Sequence, residues 1–348
     1  MTERENYLRA LRFEKPEYIP MNFVINPSCY ENYPQEELFA LMESHPLLFP
    51  DFQPPKLPFV PRYAPITRKD QPFRDDFGCI WETSMNGMTG TVTGHPLEDW
   101  DGFADFKLPD PDKCTGIGPV DWAAVKARFA ANTDRIRIGA LRHGHTFLQL
   151  SDLRGYENLL FDMIDEEPLL WKLMEQVEAF NRGIVEHFLE CEIDGMAYAE
   201  DLGMQSGPML SPELFRKYIK PSYERLIRPA KEKGLFIHMH SDGDIRTLVD
   251  DLLDGGVEIV NLQDLVNGVD WIADRLGGKV CVELDIDRQN VTCHGTPADI
   301  EALIREEVTS IGRREGGLMM VYGLYPGTPL KNAAALMDAM EKYMGYYS

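Results

Sequence analysis

GMAYAEDLGMQSGPMLSPELFRKYIKPSYERLIRPAKEKGLFIHMHSDGD, residues 195–244, reads as a complete strand–helix–strand unit. Its two ends, 195–199 and 235–240, are short runs rich in Met, Ala, Leu and Ile, as expected of strands covered on both faces. Between them, 212–233 carries apolar residues at helical spacing, and Ser211, Pro212 and Glu213 supply a capping hydroxyl, a first-turn proline and an early acid. A helix of that length joining two such strands is a βαβ unit, which belongs to a parallel sheet.

The same alternation continues on both sides. Runs at 135–140, 257–262, 279–284 and 318–322 read as further strands, and 167–189, 245–254, 297–314 and 330–344 as the helices between them. Two more strands are expected at 18–25 and 47–51, which brings the total to eight and makes a closed (β/α)8 TIM barrel the expected α/β architecture. With 348 residues and 44% hydrophobic content, the chain is expected to form a single domain over 1–348. The proline-rich stretch 52–118 reads as an inserted segment holding a β-hairpin at 81–92, turned near Asn86 and Gly87.

A formal net charge of −22 argues against nucleic acid or anionic membrane as a partner, and most of these carboxylates are expected to be solvated. Six cysteines at 29, 79, 114, 191, 281 and 293 form no C-x-x-C pair, so neither a disulfide framework nor a four-cysteine zinc site is expected. The charged opening MTERENYLRALRFEKPEY lacks the apolar core of a signal peptide, and no run of 18 apolar residues occurs, so the expected location is the cytoplasm. Sixteen methionines read as core filler, and neither a G-x-G-x-x-G turn after a strand nor a P-loop is found.

In a barrel of parallel strands the reactive groups gather where strands end. The densest ending is FIHMHSDGD, where period-two alternation puts His238 and His240 on one face ahead of Asp242 and Asp244. Imidazole and carboxylate there can act as acid and base or hold a borderline metal; equally, the two aspartates can cap the next helix and a histidine can be a satisfied core residue. Tyr198, Glu200 and Asp201 end a second strand, where adjacent carboxylates call for a cation, a metal or a substrate donor. Gln263 and Asp264 close a third, and Glu283, Asp285 and Asp287 a fourth. Tyr322 closes the last strand, and His143 and His145 follow the run at 135–140. The candidates are thus His240, Asp242 and Tyr322 for catalysis, and Tyr198, Glu200, Asp201, His143, His145 and Gln263 for substrate binding. His240, Asp242 and Glu283 are candidates for a metal.

In order and context these segments resemble the uroporphyrinogen decarboxylase superfamily. RENYLRALRFEKPEYIPM is similar to its opening helix and first strand, DFGCIWE to its insertion, and LRGYENLLFDMIDEEPLL to the helix after its second characteristic loop. EDLGMQSGPMLSPELFRKYIKPSYERLI is similar to the segment with a strand-end acid and a Ser-Pro helix start. HSDGDI resembles the H-x-C-G-N motif, and YGLYPGTPLKNAAALMDA the C-terminal loop and helix. The resemblance implies one of two chemistries. The decarboxylases of this superfamily carry R-Q-A-G-R-Y after the first strand to hold substrate carboxylates; here NFVINPSCYENYP stands there, with no arginine between Arg12 and Arg62. The methyltransferases bind zinc through H-x-C and a later cysteine. His240 matches that histidine, while Asp242 and Tyr322 stand where the two cysteines are. What remains is a harder N/O environment, similar to that of the branch that demethylates aryl methyl ethers. The resemblance then implies a small methylated substrate, a corrinoid carried on a partner protein, since no D-x-H-x-x-G run occurs here, and zinc as a possible metal. A decarboxylase of a polycarboxylate or porphyrin-like substrate is the alternative, and a binding subunit without catalysis the third reading. Oligomeric state is not legible.

Overall fold

The computed structural model of the protein describes residues 1–348. Its contacts divide the chain into two compact units. The first comprises Met1–Lys69, Thr83–Thr89 and Leu262–Ser348; the second comprises Asp70–Glu82 and Gly90–Asn261. Seven strands form parallel ladders: β1 (Met21–Ile25), β2 (Ile138–Ala140), β3 (Gly195–Asp201), β4 (Phe236–Asp242), β5 (Ile259–Gln263), β6 (Cys281–Asp285) and β7 (Leu318–Leu324). In the first unit the order is β1-β7-β6 and in the second it is β4-β3-β2; along the chain, β5 spans the passage from the second unit to the first.

The eighth strand, expected at 47–51, is not there. Pro46 and Pro50 remove two ladder donors, Leu47 is 60% exposed, and Leu48 and Phe49 close turns onto the carbonyl of His45. The amides of Leu47 and Leu48 are taken instead by the Glu341 carboxylate. The chain therefore has seven parallel strands, one fewer than the eight expected.

Local capping residues mark some helix starts and not others. In α1 (Phe147–Arg154) the first turn lacks a side-chain cap from its own Thr146, whereas α2 (Pro168–Leu189) begins on Glu167 with Pro168 at its first position. The helix expected over 212–233 is interrupted: after Pro212–Leu214 comes a π-helical turn, Phe215–Ile219, before α3 (Lys220–Glu232). Pro221 offers no N–H to the carbonyl four residues back, and the wider turn absorbs the defect. In the first unit α4 (Pro297–Ile311) opens with a capping box of Thr296 and Asp299, and α5 (Leu330–Met344) closes the fold.

In the second unit Met196, Tyr198, Ile237 and Met239 of β3 and β4 are buried, as are Leu170, Leu173, Phe215 and Ile227 of the helical segments. Each such side chain contributes about 1.5–3 kcal/mol by leaving water. This unit also holds a small antiparallel sheet of Phe73–Arg74, Ile80–Glu82 and Thr91–Gly94, in which Trp81 faces Val92 and Glu82 faces Thr91. No helix is long and apolar enough to cross a membrane.

Candidate functional site

The alternation of β3 and β4 decides which of their side chains are available. Met196, Tyr198 and Glu200 on β3, and Ile237, Met239 and Ser241 on β4, turn to the buried face. Ala197, Ala199 and Asp201, and His238, His240 and Asp242, lie on the half-exposed one. The ladder sets Ala197 beside His238, Ala199 beside His240 and Asp201 beside Asp242. Two alanines thus leave room around two imidazoles, and two carboxylates stand together at the strand ends.

The loop after β2 completes the group. The amides of Leu141 and Gly144 donate to the carbonyls of Ala197 and Ala199, which brings His143 over the end of β3. Its Nε2 lies 3.1 Å from Asp201 Oδ1, and its ring centre 5.7 Å from that of His240. His240 Nε2 is 3.7 Å from Asp201 Oδ1 and 3.7 Å from Asp242 Oδ1, and its Nδ1 is hydrogen bonded to Asn261 Oδ1. One donor atom each from His143, Asp201 and His240 lies within 4.8 Å of the others. The ends of β3 and β4 are also locked together beyond the site. A Cβ on Gly243, which has φ +79°, would fall 2.1 Å from the Gly203 carbonyl, so only glycine allows the two backbones to meet.

Charge and burial compete here. Burial depresses His240, but Asp201, Asp242 and Asn261 outweigh it and raise its pKa to about 9. His143 is likewise lowered by burial and raised further by Asp201, to above its ordinary value. Burial would raise Asp201, yet the hydrogen bonds and charges of the two imidazoles hold it well below the usual carboxylate range.

Other residues expected at the site have different surroundings. Glu200 is fully buried and accepts from the amides of Thr146, Phe147 and Leu148, so it caps α1 from a neighbouring strand. Burial pushes its pKa up to about 7, against the pull of those amides. His145 is buried with its Nδ1 2.7 Å from Thr146 Oγ1, and desolvation lowers its pKa to about 3. The Tyr198 hydroxyl donates to the Leu226 carbonyl at 2.9 Å. These three lie in the packing behind the open face. In the first unit, Tyr322 is on the buried parity of β7, against Phe23, with its hydroxyl donating to Thr292 Oγ1 at 3.2 Å and 3.3 Å from Thr328 Oγ1. The phenol is occupied inside that unit and does not reach solvent. Gln263 ends β5 and Glu283 lies within β6, both half-buried and both in the first unit.

Two residues of the second unit escaped the sequence reading. Asn261 interrupts the otherwise apolar run Ile259, Val260, Leu262, and that interruption was the available signal. Arg142 lies beneath the loop, 3.6 Å from Asp75 and 3.3 Å from Asp152 and near the rings of Phe77 and Trp81. Nothing local in LRHGH marks it. All six cysteines are free, and burial raises the thiols of Cys29, Cys79 and Cys281; none belongs to the cluster of donors around His240.

Among solved structures, a methyltransferase from Methanosarcina mazei matches with a TM-score of 0.68 at 18% identity, over 100% of both chains. That likeness extends to the fold. A B12-independent methionine synthase from Shewanella sp. W3-18-1 gives a TM-score of 0.44 at 12% identity, covering 66% of this chain and 69% of that one. An endo-beta-1,4-xylanase from Gloeophyllum trabeum gives 0.39 at 14% identity, over 63% and 79%. No curated protein matches in sequence. The family model described as uroporphyrinogen decarboxylase (URO-D) matches residues 84–343, well over half of the chain, a span that includes every member of the His240 cluster. The chain belongs to the uroporphyrinogen decarboxylase (URO-D) family.

Proposed function

We propose that the protein is a methyltransferase subunit that takes a methyl group from a small O-methylated compound, a methoxylated aromatic by preference, and passes it to a corrinoid protein. One observation carries this reading: His143, Asp201 and His240 meet at the open ends of neighbouring strands with nitrogen and oxygen donors and no thiolate. Family membership and the fold shared with a methyltransferase support it.

Removing a methyl group from oxygen leaves an alkoxide or phenoxide, whose charge must be stabilised as the C–O bond breaks. His240 is held protonated at neutral pH by Asp201 and Asp242, and its Nε2–H is the group positioned to protonate the departing oxygen. Asp201 and Asp242 offset the imidazolium charge before transfer, and His143 keeps Asp201 ionised. Two imidazoles and a carboxylate also fit an ion of borderline softness such as zinc, with His143, Asp201 and His240 as its ligands. When bound, such an ion would polarise the leaving oxygen. The corrinoid would arrive on a separate protein and supply cobalt(I) as the nucleophile.

A polycarboxylate substrate needs unspent cations, and the nearby guanidinium groups are engaged: Arg142 with Asp75 and Asp152, Arg246 with Asp244. The cluster's own charges are nearly balanced, which suits a neutral methoxyl compound better. The test is metal analysis of the purified protein together with transfer from methoxylated aromatics to cob(I)alamin, followed by its absorbance. Methylation that depends on His240 is expected. Carbon dioxide release from a tetrapyrrole polycarboxylate, with no methylation, would overturn the assignment.

A further inference from the structure

We propose that Asn261 is a positioning residue that decides which nitrogen of His240 faces the reaction. Asn261 is 5% exposed, between Val260 and Leu262 that are wholly buried, on a strand whose other central residues are aliphatic. An amide there is costly unless its polar atoms are used. Its Oδ1 meets His240 Nδ1, and a carbonyl oxygen only accepts, so the proton of that contact is on Nδ1. The opposite nitrogen, Nε2, is then the one directed at Asp201 Oδ1 and Asp242 Oδ1, 3.7 Å from each.

This assignment serves either use of the ring. A proton given to a leaving oxygen must come from Nε2, because Nδ1 is engaged with Asn261. A metal ligand must offer a lone pair from Nε2, which requires the single proton of the neutral ring to stay on Nδ1. Without Asn261 the two carboxylates would draw that proton to Nε2, and the ring could also turn about its Cβ–Cγ bond. The site would keep its histidine and lose its orientation.

The proposal deepens the functional reading above, but its test stands apart from it. Protein labelled with ¹⁵N in its histidine rings is compared as wild type, Asn261→Leu and Asn261→Asp, with His240→Gln to assign the His240 signals. The spectra are recorded at high pH, where the His240 ring is neutral, and there Nδ1 carries the proton in wild type. In Asn261→Leu, which keeps the volume and removes the acceptor, the proton moves to Nε2, and zinc affinity measured by chelator competition falls roughly 10- to 100-fold. Asn261→Asp, which restores an acceptor, returns the Nδ1–H form. A wild-type ring protonated on Nε2, or an Asn261→Leu ring unchanged from wild type, overturns the proposal. A protein that neither binds zinc nor transfers methyl groups would sink the functional reading, while the ring nitrogens would still decide the role of Asn261. Circular dichroism melting of each variant separates a change of tautomer from a loss of fold.

Discussion

At the scale of single residues, parity along a strand separates the groups that can act from those that hold the fold. Glu200 and Asp201 are chemically alike and adjacent, yet one is sealed against a helix start and the other meets two imidazoles. His143 and His145 differ in the same way, and His145 yields a prediction about pH. Its folded pKa, lowered to about 3 by burial, lies below the ordinary value of 6.5 that the unfolded chain regains. Below pH 6.5 the unfolded state therefore binds a proton that the folded state refuses, and the stability this group permits above pH 6.5 is lost as pH falls towards 3. Between pH 7 and pH 5 that loss is about 2 kcal/mol, at about 1.4 kcal/mol per pH unit. Urea unfolding of wild type and His145→Gln at both pH values checks it: the variant is expected to show a shallower acid slope, whatever its stability at pH 7. Equal slopes would mean that His145 is protonated inside the fold.

At the scale of elements, α1 illustrates a start that local sequence does not explain. Thr146 makes no cap bond to its own helix, and the three orphan amides are met by Glu200 from β3. Glu200→Ala would strand those buried donors, at a cost on the order of 3 kcal/mol in urea unfolding of the protein. A cost near zero would show that the cap is dispensable. Strands were legible wherever both faces are covered, because their sequences are nearly all apolar; each of the seven was found, with ends shifted by a few residues. The run at 47–51 has the same apolar look, but its flanking prolines and exposed Leu47 make it a turn. Strand ends supply the candidate residues, yet composition does not tell which side chain of each pair faces outward, so the sequence groups Tyr198, Glu200 and Tyr322 with residues of opposite parity. Asn261 and Arg142 act through partners distant in sequence, and only the fold brings those partners to them.

At the scale of the molecule, the second unit brings His143, Asp201 and His240 together from three segments, while Tyr322 is committed to hydroxyl partners within the first. The proposed function rests on the family relationship together with a donor group made of nitrogen and oxygen alone. The proposed function makes the His240 cluster the reactive centre. The most direct measurement is the rate of methyl transfer from a methoxylated aromatic to cob(I)alamin in His240→Gln, Asp201→Asn and Tyr322→Phe. A fall of about 100-fold or more is expected in the first two and only a few-fold change in the third. Full rates in His240→Gln and Asp201→Asn, with activity lost in Tyr322→Phe, would contradict it.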